Sequence, residues 1–295
     1  MSIRKELLSK LTSSALDTPW GHSPVEKWKT DYRVIWEGDI SNFRRLRISG
    51  GTINPPDRPL VLSEQPYPDE RFIRRITNSV ALGKFLVKMQ MHSFSSLGSL
   101  FRYVPEMETT KFRKFSCWNN LLSDIGIRMS YYSHRIKKLK LKNPVVLEIG
   151  AGYGALSAYL NGFYSNYFIV DLPENLILAS EFLGSIGVKA GTIANYPSDD
   201  ISVFLLSGAD LPTLDGVDVV VNIMSMQHMS KKNLEYYFGE ISRINPKYLY
   251  LVNRNIKRDP SDIEVQNYPV PSQYRIKTSA EIYSKFYTEL VYSRD

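Results

Sequence analysis

Residues 145–157 read V-V-L-E-I-G-A-G-Y-G-A-L-S, and this stretch decides the fold. Val145 to Ile149 is an apolar run of strand length, and a helix is expected to begin at Gly154 and run to Leu160. Between them stand Gly150, Gly152 and Gly154, with Ala151 and Tyr153 interleaved. Glycine has no Cβ, so such a loop turns sharply and lets backbone approach a ligand closely. The helix N-terminus that follows offers free amide groups to an anionic or polar ligand. In open α/β sheets ligands lie beyond the carboxyl ends of the strands, where this loop belongs.

Residues 167–175, Y-F-I-V-D-L-P-E-N, give a second strand ending at Asp171. An acid about 20 residues beyond such a loop is placed to accept hydrogen bonds from both ribose hydroxyls of an adenosine. Two nucleotide-binding patterns compete at this point. Gly150, Gly152 and Ala155 satisfy the relaxed G-x-G-x-x-A of nicotinamide enzymes. Glu148, two residues before the first glycine, and Gly154, the third, complete E-x-G-x-G-x-G, the pattern of adenosylmethionine enzymes. There the carboxylate of Glu148 is placed to engage the polar end of the cofactor.

Outward from the loop, strands are expected at 203–206, 217–223 and 248–252, with helices at 174–183 and 233–244. Phe286 to Tyr292 reads as an edge strand. Strand–helix alternation of this kind predicts a largely parallel sheet with helices on both faces. Before Asn143 the texture differs. Residues 1–60 are rich in turn formers and aromatics, with Gly50-Gly51 and Pro55-Pro56 marking loops. Residues 69–142 carry helical spacing at Phe72, Ile76, Val80, Phe85 and Met89, continued by Leu121, Leu122, Ile125 and Met129. This divides the chain into a mainly helical N-terminal substrate or cap region, 1–142, and a cofactor-binding domain, 143–295.

The 295 residues are 43% hydrophobic and 23% charged, which is a globular composition. The single cysteine, Cys117, excludes a disulfide framework, fits a reducing cytoplasm and reads as packed in a helix. The basic N-terminus lacks the apolar run of a secretory signal. No window approaches the roughly 18–20 apolar residues of a membrane span. A soluble, cytoplasmic protein is expected. The net charge of +7 suits phosphate-bearing substrates, nucleic acid or an anionic membrane face, which leaves peripheral membrane contact open. No nucleic-acid module accompanies it, so nucleic acid is not an expected partner. The basic run Arg135 to Lys142 alternates with apolar residues and reads as a solvated helix face.

Over residues 143–295 the sequence resembles the class I S-adenosylmethionine-dependent methyltransferases. Its finer features resemble the sugar O-methyltransferases of bacterial surface-glycan loci. The closer likeness rests on E-I-G-A-G-Y-G (148–154), D-L-P (171–173) and V-D-V-V-V-N-I-M-S-M-Q-H-M (217–229). The resemblance implies a Rossmann-like sheet of seven strands, mostly parallel with the last antiparallel, below a mainly helical N-terminal cap. It implies S-adenosylmethionine as cofactor, held by Glu148, Gly150, Ala151, Gly152, Tyr153 and Gly154, with Asp171 on the ribose and Leu172 against the adenine. Asp210 matches the acid that meets the adenine amine, although an Asp before Pro212 also reads as a turn or helix cap. The family pattern carries Q-E-M after the fourth strand, where this chain has His228 in place of the Glu.

Methyl transfer to a hydroxyl needs an aligned acceptor and somewhere for its proton to go. His228 is the candidate base, since histidine titrates near neutrality; a solvent-facing histidine at a helix start is the plainer reading. Asn222 and Gln227 are candidates for orienting the acceptor, as is Arg254 after the fifth strand unless it lies on the surface. Tyr268, in the next loop, is placed to shape the entrance. His22, His92 and His134 have no paired spacing, so no metal site is indicated. Trp28, Tyr32, Arg33, Trp36, Arg44, Arg45 and Arg47 suggest that the N-terminal region forms a wall of the acceptor site. Rings stack on sugars, and arginines bind a phosphate linking a sugar to a nucleotide or lipid.

The expected partner is therefore a sugar or glycan precursor, with or without a phosphate. Alternatives are methylation of another small hydroxyl or amine compound, a nicotinamide-dependent oxidoreductase, and a binding module that keeps the fold without the chemistry.

Overall fold

The computed structural model describes residues 3, 5–7, 48–49, 52–53, 114–117, 120–257, 262–282 and 286–294. The aromatic and arginine cluster from Trp28 to Arg47, the helical spacing from Phe72 to Met89, and His22 and His92 lie outside them. So does the proposed wall of the acceptor site.

Two short antiparallel pairs precede the main sheet: β1 (Ile48–Ser49) with β2 (Thr52–Ile53), and β3 (Lys114–Cys117) with β4 (Asn120–Ser123). Cys117 and Leu121–Leu122 are thus strand residues, not the helix that their spacing suggested. The i, i+1, i+4 apolar pattern from Leu121 to Ile125 spans the end of β4 and the start of α1 (Asp124–Lys137), so two elements had merged into one apparent helix.

The remaining elements are β5 (Val145–Ile149), α2 (Ala155–Tyr159), β6 (Asn166–Val170), α3 (Pro173–Ser185), β7 (Ala190–Thr192) and β8 (Val203–Leu206). After them come β9 (Val219–Ile223), α4 (Lys231–Ile244), β10 (Tyr248–Arg254), β11 (Tyr274–Ile282) and β12 (Tyr287–Arg294). They form one sheet in the order β11-β12-β10-β9-β5-β6-β8-β7. Every pair from β10 to β7 is parallel, while β12 runs antiparallel to both β10 and β11. The mostly parallel sheet with an antiparallel last strand is as expected, but it has eight strands, not seven. The short β7 adds itself beside β8. β12 is interior, and the edge belongs to β11, whose polar sequence Y-R-I-K-T-S-A-E-I hid it because most of its residues are exposed.

Apolar side chains fill both faces of the sheet. One face receives α1, α2 and α3 through residues such as Tyr132, Ile136, Leu156, Ile177 and Phe182. The other receives α4 through Leu234, Tyr237, Phe238 and Ile241, at the spacing of one helical stripe. α4 is capped by Ser230, whose side chain accepts from Asn233 N, and stops at Asn245 in the left-handed region.

Segments before residue 143 contribute to this core. Leu7, helical and fully buried, packs into the same cluster as α1, and Glu6 accepts a hydrogen bond from Thr192 Oγ1 at 2.9 Å. Arg135 is not on a solvated face. It meets the buried Glu289 of β12 through Nε at 2.7 Å and Nη2 at 2.5 Å, while Tyr250 donates to the other carboxylate oxygen at 2.7 Å. Ile136, next to it, is fully buried. Among the described residues no helix is long and apolar enough to cross a membrane.

From β5 the chain steps to β6, out to the edge strand β7 and back to β8, then crosses to β9 on the other side of β5. This reversal, between β5 and β9, is a topological switch point, the place where open α/β sheets bind their ligands.

Candidate functional site

The β5–α2 loop sits at that switch point. Gly150, Gly152 and Gly154 have φ of 75°, 60° and 79°, a left-handed backbone that other residues adopt at a cost. Gly150 also packs against the neighbouring turn. A Cβ there would lie 1.9 Å from Ser225 Oγ, so glycine is needed for the loop to close against the residues after β9. At Gly154 a Cβ would sit 3.1 Å from Ile169 Cδ1, where α2 begins against the sheet.

Asp171 stands directly after β6 and is held by three donors. Gly152 N donates to Oδ2 at 2.6 Å, and Leu172 N and Asn175 Nδ2 each donate to Oδ1 at 2.7 Å. Burial raises the carboxyl to about 6 against the lowering effect of these bonds. Asn175, on the first turn of α3, keeps its Oδ1 buried with no partner. A ribose diol brings two O–H donors. The carboxylate, with about four acceptor positions and three filled, and the orphaned amide oxygen beside it are suited to take them.

Glu148 lies beneath the loop, 4% exposed, and accepts from Tyr167 Oη at 2.7 Å. Desolvation pushes its pKa up to about 8, with the nearby Asp171 adding to the rise and the Tyr167 bond opposing it. A buried acid of this kind gains its charge when a cationic group comes near. S-adenosylmethionine carries both a sulfonium and an α-ammonium. The orphaned amide oxygen, the glycine turn and the two acids together fit that cofactor.

Other loop positions serve differently. Tyr153 is buried with its ring edge-on to Phe182 at 4.9 Å, so the residue meets the loop through its backbone. Leu172 is half-buried and caps α3, two residues past the end of β6. Asp210 Oδ2 accepts from both Ser207 N and Ser207 Oγ at 2.8 Å, which is the turn-capping arrangement. That turn lies beside Asp171, whose N–H bonds to Leu206 O at the end of β8.

A chain of buried amides runs from the loop to the candidate base. Asn222 Nδ2 donates to Ile149 O at 2.7 Å and also to Ser225 Oγ, while its Oδ1 accepts from Asn253 Nδ2 at 2.8 Å and Met226 N at 3.3 Å. With both donors and both acceptor positions taken inside the protein, Asn222 supports the loops instead of meeting an acceptor. Asn253 Oδ1 accepts from Gln227 N at 3.2 Å, and Gln227 Oε1 accepts from Arg254 N at 3.1 Å. Gln227 Nε2 stands 3.2 Å from His228 Nε2.

His228 ends a short turn, Met226–His228, and is exposed. Arg254, at the end of β10, is only 7% exposed, so it does not lie on the surface. Its Nη2 reaches His228 Nε2 at 3.3 Å and Nδ1 at 3.4 Å, and its Nη1 pairs with Asp262 Oδ2 at 2.9 Å. The structure thus brings together the glycine loop, Ser225, Gln227, His228 and Arg254 along one edge of the sheet. Asn175, Ser225, Asn253 and Asp262 went unnoticed in the sequence. Asn175 had a signal, four residues after Asp171 at a helix start. Asp262 had none, because its partner lies on a strand end reached through a loop. Among the described residues no three His, Cys, Asp or Glu side chains cluster as a metal site does.

No family model matches the chain, and no curated protein matches it in sequence. Similar solved structures include a SAM-dependent methyltransferase from Aquifex aeolicus, 17% identical, covering 55% of this chain and 89% of its own, at a TM-score of 0.40. Another is a magnesium protoporphyrin IX methyltransferase from Synechocystis PCC 6803 with bound SAM, 16% identical over 58% of this chain and 82% of its own, at 0.43. A third is a TehB-like SAM-dependent methyltransferase from Corynebacterium glutamicum, 12% identical over 55% of this chain and 86% of its own, at 0.41.

Proposed function

We propose that this protein is an S-adenosylmethionine-dependent O-methyltransferase whose acceptor is a hydroxyl of a sugar in a bacterial surface polysaccharide or its activated precursor. The observation that carries the reading is the junction of the two cofactor elements. Three left-handed glycines follow β5, and the middle one donates to the acid at the tip of β6. Asp171 and Asn175 hold the ribose, and Glu148 answers the positive charge of the methionine end. The cofactor supplies the electrophilic methyl group, and the chain's own task is to align the acceptor and take up its proton.

His228 is the group for that proton. In the neutral ring one nitrogen carries the lone pair that takes this proton. Gln227 and Arg254 fix the ring from two sides. The sugar acceptor is supported by the resemblance at N-I-M-S-M-Q-H-M and by the polar, hydrogen-bonding character of this edge, while D-L-P suits small-molecule acceptors equally.

The test is transfer of labelled methyl from S-adenosylmethionine to nucleotide sugars, lipid-linked sugars and free phenolic compounds by the full chain. Label on a sugar supports the reading. Label on phenolic or amine compounds alone replaces the sugar with another small acceptor and leaves the methyltransferase in place.

A further inference from the structure

Arg254 and Tyr268 are 7% and 6% exposed, yet Arg254 Nε and Tyr268 Oη have no hydrogen-bond partner. The neighbouring Asn255 Oδ1 is also buried without one. Leaving such groups unmet is costly, and several at one strand end point to an oxygen-bearing ligand. Gln266 Nε2 donates to Asn255 O at 3.4 Å, which brings the turn before Tyr268 against the end of β10, and burial keeps the Tyr268 phenol protonated. His228, exposed and in contact with Arg254 Nη2, is the solvent side of this group.

The charge balance indicates what kind of ligand suits the group. Arg254 is already paired with Asp262 at 2.9 Å, with 9% and 15% of the two side chains exposed. A phosphate or carboxylate entering here meets a guanidinium whose charge is matched, and it meets Asp262 as a like charge. It also offers only acceptors, which leaves Asn255 Oδ1 unanswered. A hydroxyl both donates and accepts, so it can answer Arg254 Nε, the Tyr268 phenol and Asn255 Oδ1 in turn.

We propose that Asp262 sets acceptor specificity: by holding Arg254 in a neutral pair, it makes this end of β10 a subsite for an uncharged, hydroxyl-rich ligand in preference to a phosphorylated one. This rests on the methyltransferase reading and narrows it. Any phosphate on the acceptor lies away from this subsite.

The experiment uses the full chain saturated with S-adenosylhomocysteine, whose binding is measured first. Methyl glycosides and the matching sugar 1-phosphates are then titrated by ligand-observed NMR. Wild type is expected to bind a methyl glycoside at least as tightly as its 1-phosphate. Asp262→Asn is expected to shift the ratio toward the phosphate by about tenfold or more, because Arg254 then offers an unmatched charge. Asp262→Glu is expected to keep the wild-type ratio.

The double variant Arg254→Gln with Asp262→Asn removes both charges with similar shapes and guards against misfolding of the single one. It is expected to keep the uncharged preference while weakening the glycoside by about tenfold; unchanged glycoside affinity overturns the proposal. Three further results also overturn it: wild type favouring the phosphate, Asp262→Asn leaving the ratio unchanged, or neither ligand binding while S-adenosylhomocysteine does. The last means that water alone fills the site. Failure to bind S-adenosylhomocysteine removes the methyltransferase reading, and this inference with it.

Discussion

Gly152 donates its backbone N–H to Asp171 Oδ2 across 2.6 Å, tying the glycine loop to the tip of the neighbouring strand. Asp171→Ala cuts that tie and removes the ribose acceptor together. Losing charge-assisted bonds of about 1.5–3 kcal/mol predicts roughly a ten- to hundredfold weaker S-adenosylmethionine complex. Asn175→Ala should cost less than Asp171→Ala, since it removes one neutral acceptor and one of the three donors on Asp171 but leaves the carboxylate. The carboxyl sits at about 6, so in Glu148→Gln, where the other buried acid no longer titrates, affinity should hold above that pH and fall as the pH drops through it. Calorimetry from pH 5 to 8 checks both; a flat profile means that the ionised Asp171 does not hold the cofactor.

Gly150→Ala tests the close approach to Ser225. The new Cβ adds a clash of about 1–3 kcal/mol to the left-handed backbone cost of about 1–2 kcal/mol. Gly162→Ala is the control, because φ there is 81° and nothing lies within 4 Å of its Cβ, so the backbone cost stands alone. Urea denaturation should rank Gly150→Ala well below Gly162→Ala, with partial recovery on adding Ser225→Gly. Equal losses at the two glycines contradict the packing argument.

Much of this loop was legible because its chemistry is local. Glycine spacing, a strand before it and a helix after it all sit within residues 145–160, and Asp171 follows at the end of the next strand. What the sequence concealed depends on partners far away in the chain. Asn222 is committed to Ile149 and Asn253, so its role as a support emerges only once β9 lies beside β5 and β10. Arg135 looked solvated until β12 placed Glu289 under α1. β11 lacks the apolar alternation of a half-buried strand because both its faces are largely exposed, and its pairing rests on the backbone of β12.

Glu148→Gln should trade function for stability. The folded-state pKa of Glu148 lies at about 8, above the ordinary 4.5. Between these values the unfolded chain gives up the proton while the folded protein keeps it, so this residue's contribution to stability falls as the pH rises from 4.5 through 8. Glutamine cannot ionise, still accepts from Tyr167, and should flatten that dependence. At pH 8–9 the variant should melt higher than wild type, by roughly 2–4 °C for each kcal/mol recovered, and bind S-adenosylmethionine less tightly. Parallel melting curves for the two proteins from pH 5 to 9 contradict a protonated Glu148.

His228→Ala should lower turnover by about 10²–10⁴ and leave cofactor affinity nearly unchanged. Asn222→Ala should behave differently. It removes the β9 amide that ties together Ile149 O, Ser225, Met226 N and Asn253, so cofactor affinity, turnover and melting temperature should all fall together. Full turnover in His228→Ala with the true acceptor shows that the proton leaves by another route. A change confined to the acceptor KM in Asn222→Ala contradicts its supporting role.

The central claim is that the β5 glycine loop and the β6 acid hold S-adenosylmethionine, not a nicotinamide dinucleotide. Calorimetric titration of the full chain with S-adenosylmethionine, S-adenosylhomocysteine and NAD tests it most directly. The account predicts saturable one-site binding of the first two, lost or strongly weakened in Asp171→Ala, and no comparable response to NAD. Tight NAD binding with no response to either adenosyl compound would contradict it.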